Sequence, residues 1–130
     1  MRIAVDTNVL VRAVVHDHPK QAEIAAKTVK AEMLAVATSC LCEFVWVLRQ
    51  VYGFRPSAIA ATIRELLAAG NVETNRPAVE AGLAMLDAGG DFADGVIAYE
   101  GRWLGAETFV SFDRKAVEML RAQGEAARLL

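Results

Sequence analysis

The 130-residue sequence is poor in the residues that staple, span or bind metals through sulfur and nitrogen: it has two cysteines, three prolines and two histidines. Cys40 and Cys42 stand two apart at an expected helix start, where they cannot easily reach each other, and no further cysteines complete a zinc set. They read as small buried fillers. His16 and His18 flank Asp17 just before Pro19, a pattern of solvated loop and cap residues more often than of a metal site. Nowhere do 18 apolar residues run together, so no membrane-spanning helix is expected. The N-terminal apolar stretch is broken by Asp6, Asn8 and Arg12 and lacks the uninterrupted core of a secretory signal, so a cytoplasmic protein is expected. Positive charge is not in excess either. A net charge of −2 excludes a surface that grips nucleic acid everywhere and leaves only local or metal-assisted contact.

What the sequence does contain is apolar and helical. Its length suits a single domain, 1–130, burying roughly two-thirds of the surface of the unfolded chain. Of the 55% hydrophobic residues, 24 are alanine, which favours helix while burying little surface. An α/β fold rich in helix follows. Ile3 to Val5 read as a strand buried on both faces and ending at Asp6, with helical spacing resuming from Val9. Pro19 starts a helix to about Glu32, and Met33 to Ala37 is a second strand. Thr38-Ser39 can cap a helix from Cys40 that carries Glu43 in its first turn, and Phe44 to Leu48, Trp46 included, reads mostly as core. Ser57 offers a cap for a helix over 58–69 with a stripe of Ile59, Ile63, Leu66 and Leu67, closed by Gly70. Val72 marks a weak third strand, and Asn75-Arg-Pro77 starts a helix through Leu86. Asp91 then caps a helix that places Asp94 at its third residue. Thr108 to Ser111 is a strand, Asp113 repeats the position of Asp6, a helix covers 114–123, and the tail can add an edge strand. No repeat, linker or low-complexity tract interrupts this order.

Asp6, Glu43, Asp94 and Asp113 thus all fall at strand ends or helix starts. A single such acid is an ordinary cap, worth about 0.5–2 kcal/mol. Four on one sheet edge strain that explanation, because ligands of open α/β sheets sit outside the carboxyl ends of the strands. Carboxylates converging there raise one another's pKa unless a hard cation neutralises them, and oxygen-only ligands select Mg²⁺ or Mn²⁺ over zinc. Such a cation activates water and neutralises charge on a phosphoryl group, which makes phosphodiester hydrolysis the expected chemistry.

Four segments in order, Val5-Asp6-Thr-Asn-Val-Leu, Glu43 before an aromatic helix, Asp91-Phe-Ala-Asp94-Gly-Val-Ile-Ala and Ser111-Phe-Asp113-Arg, closely resemble the PIN-domain ribonucleases. Within that family the chain looks like the small VapC-type toxins of toxin–antitoxin pairs. The resemblance covers essentially the whole chain. It implies a PIN-like doubly wound parallel sheet of four or five strands flanked by helices, and Mg²⁺- or Mn²⁺-dependent endoribonuclease activity leaving 5′-phosphate and 3′-hydroxyl ends. It also implies a homodimer and inhibition by a VapB-like antitoxin. Asp6, Glu43, Asp94 and Asp113 match the family's acidic quartet as catalytic and metal-binding residues. Asn8 and Ser111 match polar positions that support the acids, and Thr7 and Asp91 are further helpers. Gly95 departs from the alanine common at its position and is expected to loosen the helix start slightly.

Asp6 and Asp94 are expected to bind one cation directly, with Glu43 and Asp113 as direct or water-mediated ligands. Arg12, Arg49, Arg55, Arg102, Arg114 and Lys115 are equal candidates for gripping the RNA backbone. Two other readings compete. A haloacid-dehalogenase-type phosphatase also opens on a strand-terminal Asp, but it has a second acid two residues on, where this chain has Asn8, and a downstream Lys for which only Lys115 is available. A non-catalytic module would use its apolar helices to pair with itself or with a partner.

Overall fold

The computed structural model describes residues 1–130, which form two compact units, Met1–Asn75 and Arg76–Leu130. The first contains strand β1 (Arg2–Ala4), helices α1 (Thr7–Val14) and α2 (Pro19–Ala31), strand β2 (Met33–Ala35), helices α3 (Thr38–Gln50) and α4 (Pro56–Ala68), and strand β3 (Val72–Glu73). β2 lies between β1 and β3, parallel to both, with Ile3 opposite Leu34 and Leu34 opposite Val72. Each parallel neighbour is reached through a helix pair, as parallel pairing requires. The core is Leu10, Val11, Leu34, Leu41, Phe44, Leu48, Ile59 and Ile63, all at most 2% exposed. Asn71, just before β3, caps the end of α2 by donating its side-chain amide to the carbonyls of Val29 and Glu32, at 2.7 and 2.8 Å.

The second unit holds α5 (Arg76–Asp87), α6 (Phe92–Trp103), β4 (Phe109–Ser111), α7 (Arg114–Ala122) and β5 (Ala127–Leu129). β4 and β5 are parallel, in register from Phe109–Ala127 to Ser111–Leu129, so the tail does form a strand. Met85, Val117, Leu120 and Ala127 form one buried cluster. Elsewhere α5 and α6 meet at glycines. A Cβ on Gly82 would come within 2.7 Å of the Phe92 ring, and one on Gly95 would strike the Ala81 carbonyl and lie 2.9 Å from the Gly82 Cα.

The α/β class and five parallel strands agree with the sequence reading, and the strands pair as a ladder of three and a ladder of two. Several local expectations are corrected. β1 is not buried on both faces: Ile3 is half-buried and Ala4 exposed, because β1 ends the three-stranded ladder. α3 begins at Thr38 with Ala37 as an N-cap lacking a side-chain bond, so Glu43 sits in its second turn. Pro56, whose fixed φ suits the first helical position, starts α4 one residue before the expected Ser57 cap. Trp46 is 61% exposed and leaves the core to its neighbours. Gly95 also lets α6 lie against the backbone of α5 where a methyl group would not fit.

Candidate active site

In the first unit the chain leaves β1 at Ala4, and Asp6 becomes the N-cap of α1 in an extended conformation (φ −73°, ψ 152°). Its carboxylate makes no capping hydrogen bond and is exposed. The next residue behaves differently. Thr7 is 7% exposed, and its hydroxyl donates to Glu43 Oε2 at 2.7 Å across 36 residues of sequence. Glu43 reaches this bond because Cys40 and Glu43, three apart on α3, share a helix face. Cys40 lies 3.7 Å from the Thr7 hydroxyl and offers its thiol to the Val5 carbonyl at 3.7 Å. Burial pushes the Cys40 thiol up, the Thr7 hydrogen bond offsets part of that rise, and the negative charges of Asp6 and then Glu43 add smaller upward pushes. Cys40 is thus a protonated packing residue and no nucleophile.

Asp6, Thr7, Ser39, Cys40 and Glu43 line a cleft of about 260 Å³ with Val5 and Ala37, at the carboxyl ends of β1 and β2. That is where α/β sheets place ligands. The sequence reading assigned Ser39 to capping and Cys40 to filling; the structure puts both on the cleft wall. Their spacing of four and three residues from Glu43 on one helix was the available signal. Asn8 turns elsewhere, into a groove between α1 and α2 that Val9, Arg12, Gln21, Ile24, Ala25 and Thr28 also line.

In the second unit Asp91 caps α6, accepting from the Ala93 amide at 3.0 Å, and Asp94 follows in the first turn. Asp113 caps α7, accepting from the Ala116 amide at 3.2 Å, and its own amide donates to Ser111 Oγ at 2.9 Å. Burial comes first, and the charges of Asp91 and then Asp113 add to it, in raising the Asp94 carboxyl above the ordinary aspartate range. Asp94 therefore stands within reach of the charges of both Asp91 and Asp113.

The donors are all oxygen, which fits a hard divalent cation. No three His, Cys, Asp or Glu side chains gather closely enough to cage a metal. Mg²⁺ does not demand such a cage, since it commonly binds through one or two carboxylates while keeping several waters. The Asp6–Glu43 cleft supplies two. His16 and His18 are exposed.

Half of the basic residues considered for RNA are already engaged. Arg12 donates to Gln21 Oε1 at 2.8 Å and, at 3.3 Å each, to Asp17 and the Tyr52 hydroxyl. Arg102 pairs with Glu125 at 2.8 Å and lies over the Tyr99 ring, while Lys115 donates to the Gly89 carbonyl. Lys115 in that bond lends nothing to the phosphatase reading.

The PIN domain family profile matches residues 3–121, a continuous stretch running through both units. The chain belongs to the PIN domain family. No curated protein matches it. PIN domains are generally nucleases and typically bind divalent metals, which agrees with a carboxylate-lined cleft at the strand ends. No helix is long and apolar enough to cross a membrane.

Proposed function

We propose that this PIN domain is a Mg²⁺- or Mn²⁺-dependent endoribonuclease of the VapC type, the toxin of a toxin–antitoxin pair. The observation that carries the nuclease reading is the Asp6–Glu43 cleft. Asp6 is an N-cap whose carboxylate makes no capping bond, and Glu43 is held by a buried threonine. Capping stability explains neither acid. Asp6, Glu43, Asp94 and Asp113 are the proposed metal-binding residues, in a single PIN domain spanning 1–130. A bound cation would neutralise charge on the scissile phosphate and make water a better nucleophile at neutral pH.

The chain's own residues do the rest. Thr7 fixes one oxygen of Glu43 and leaves the other for a ligand. Ser111 holds the Asp113 backbone at the start of α7, and Asp91 secures the first turn of α6, which carries Asp94. Replacing Asp6 or Asp94 by Asn removes a charge while keeping the shape. The VapC-type assignment further proposes a homodimer in the cytoplasm, held inactive by a VapB-like antitoxin. It rests on the order and spacing of the four acidic segments.

The test is cleavage of a mixed structured RNA pool by the purified chain in Mg²⁺, Mn²⁺ or EDTA, with the new ends sequenced. Metal-dependent cuts ending in 5′-phosphate, absent from Asp6→Asn, are expected. Full activity of Asp6→Asn would overturn the site. A neighbouring short gene for a DNA-binding protein with a basic amphipathic tail is expected for the toxin assignment, and an isolated gene would count against it.

A further inference from the structure

We propose that Trp46, Arg49 and Gln50 form a nucleotide subsite beside the cleft, in which Trp46 stacks on an unpaired base of a single-stranded RNA. This rests on the nuclease reading above and specifies how such a substrate is held.

α3 buries Cys40, Leu41, Phe44, Val45 and Leu48 but leaves Trp46 61% exposed. Three residues separate Trp46 from Glu43, so it stands about 4.5 Å further along the helix on an adjoining part of the same face. A base stacked there belongs to a nucleotide next to the phosphate that the cleft would hold. One turn on, Arg49 and Gln50 follow at three and four residues. Both are exposed, and neither has a hydrogen-bond or ion-pair partner in the structure. By contrast Arg12, Arg102 and Lys115 each already hold a polar partner. An unpaired guanidinium fits a phosphate, an unpaired amide fits a base edge, and an indole face accepts any base. A stable protein interface would set the indole among apolar neighbours. Here the exposed residues three and four positions away are Glu43, Arg49 and Gln50, with Val51 the one exposed apolar side chain close by, so the unpaired donors of Arg49 and Gln50 favour RNA as the occupant.

The probe is a random-sequence single-stranded RNA dodecamer. In the full chain carrying Trp103→Phe, Trp46 is the only indole, and the RNA should quench its fluorescence in EDTA. In Mn²⁺, Trp46→Ala should raise the KM for RNA about tenfold with a smaller change in kcat. Trp46→Phe should keep most of the affinity, and Arg49→Ala should lower the salt slope of binding by about one. Unchanged melting of Trp46→Ala separates lost binding from lost folding. A chain that cuts RNA with unaltered KM in Trp46→Ala, and without quenching, would overturn the subsite and leave the nuclease reading standing. So would a Trp46→Ala chain changed only in oligomeric state, which would make the face a protein interface. Wild type that neither binds nor cuts RNA would overturn both.

Discussion

Asp6 and Asp113 both follow a short parallel strand and both occupy the N-cap of the next helix, yet only Asp113 uses its side chain there. Its carboxylate accepts from the Ala116 amide at 3.2 Å, while that of Asp6 accepts from no amide of α1. The two units therefore treat equivalent acids differently. In Arg76–Leu130, Asp91 and Asp113 stabilise helices, and their charge adds to the burial that raises the Asp94 carboxyl. In Met1–Asn75, Asp6 contributes nothing local and Glu43 is aimed by Thr7. An acid that a helix needs can be lost for structural reasons; an acid that no local structure needs reports on a ligand when it is lost.

The sharpest break in that comparison is Asp6→Asn. Cleavage should fall at least about 10²-fold with Tm almost unchanged, since asparagine also serves as an N-cap. Gly95→Ala should act on the other unit alone. With the Ala81 carbonyl and the Gly82 Cα in its way, the added methyl should destabilise by about 1–3 kcal/mol or more, read from urea denaturation of the metal-free chain. Thr7→Val keeps the shape and removes the donor to Glu43. Activity should drop about tenfold or more while Thr7→Ser retains most of it, measured as kcat/KM.

Asp113→Ala should cost about 1 kcal/mol of stability through its lost cap, where Asp6→Ala has no cap bond to lose. The smallest effect concerns pH. Because the Asp94 carboxyl is raised in the fold, the folded chain holds that proton to higher pH than the unfolded chain. Stability is thus lost as pH climbs from the unfolded value, about 3.9, through the folded one. Asp94→Asn should therefore melt slightly higher than wild type at pH 7 in EDTA, with the difference gone below about pH 4.

The features legible in the sequence were those written in local chemistry. Pro19 at the start of α2, Asp91 and Asp113 as caps, and Gly70 and Gly124 with positive φ after α4 and α7 all sit where residue type alone places them. Features that depend on distant neighbours were not legible. Trp46 shares an apolar run with Val45 and Val47, and only packing shows that it faces outward. The role of Gly95 depends on α5 passing against it, and the Thr7–Glu43 bond joins helices 36 residues apart in sequence. The start of α3 was misplaced because Thr38-Ser39 imitates a cap while Ser39 in fact lines the cleft.

Titration calorimetry of Mn²⁺ into the wild-type chain and Asp6→Asn, each with its melting curve, tests the central claim most directly. The account predicts Mn²⁺ binding by wild type and its loss in Asp6→Asn at unchanged Tm. Equal Mn²⁺ affinity in the two chains, or a variant that melts far below wild type, would contradict it, because Asp6 would then be a structural residue and not a ligand.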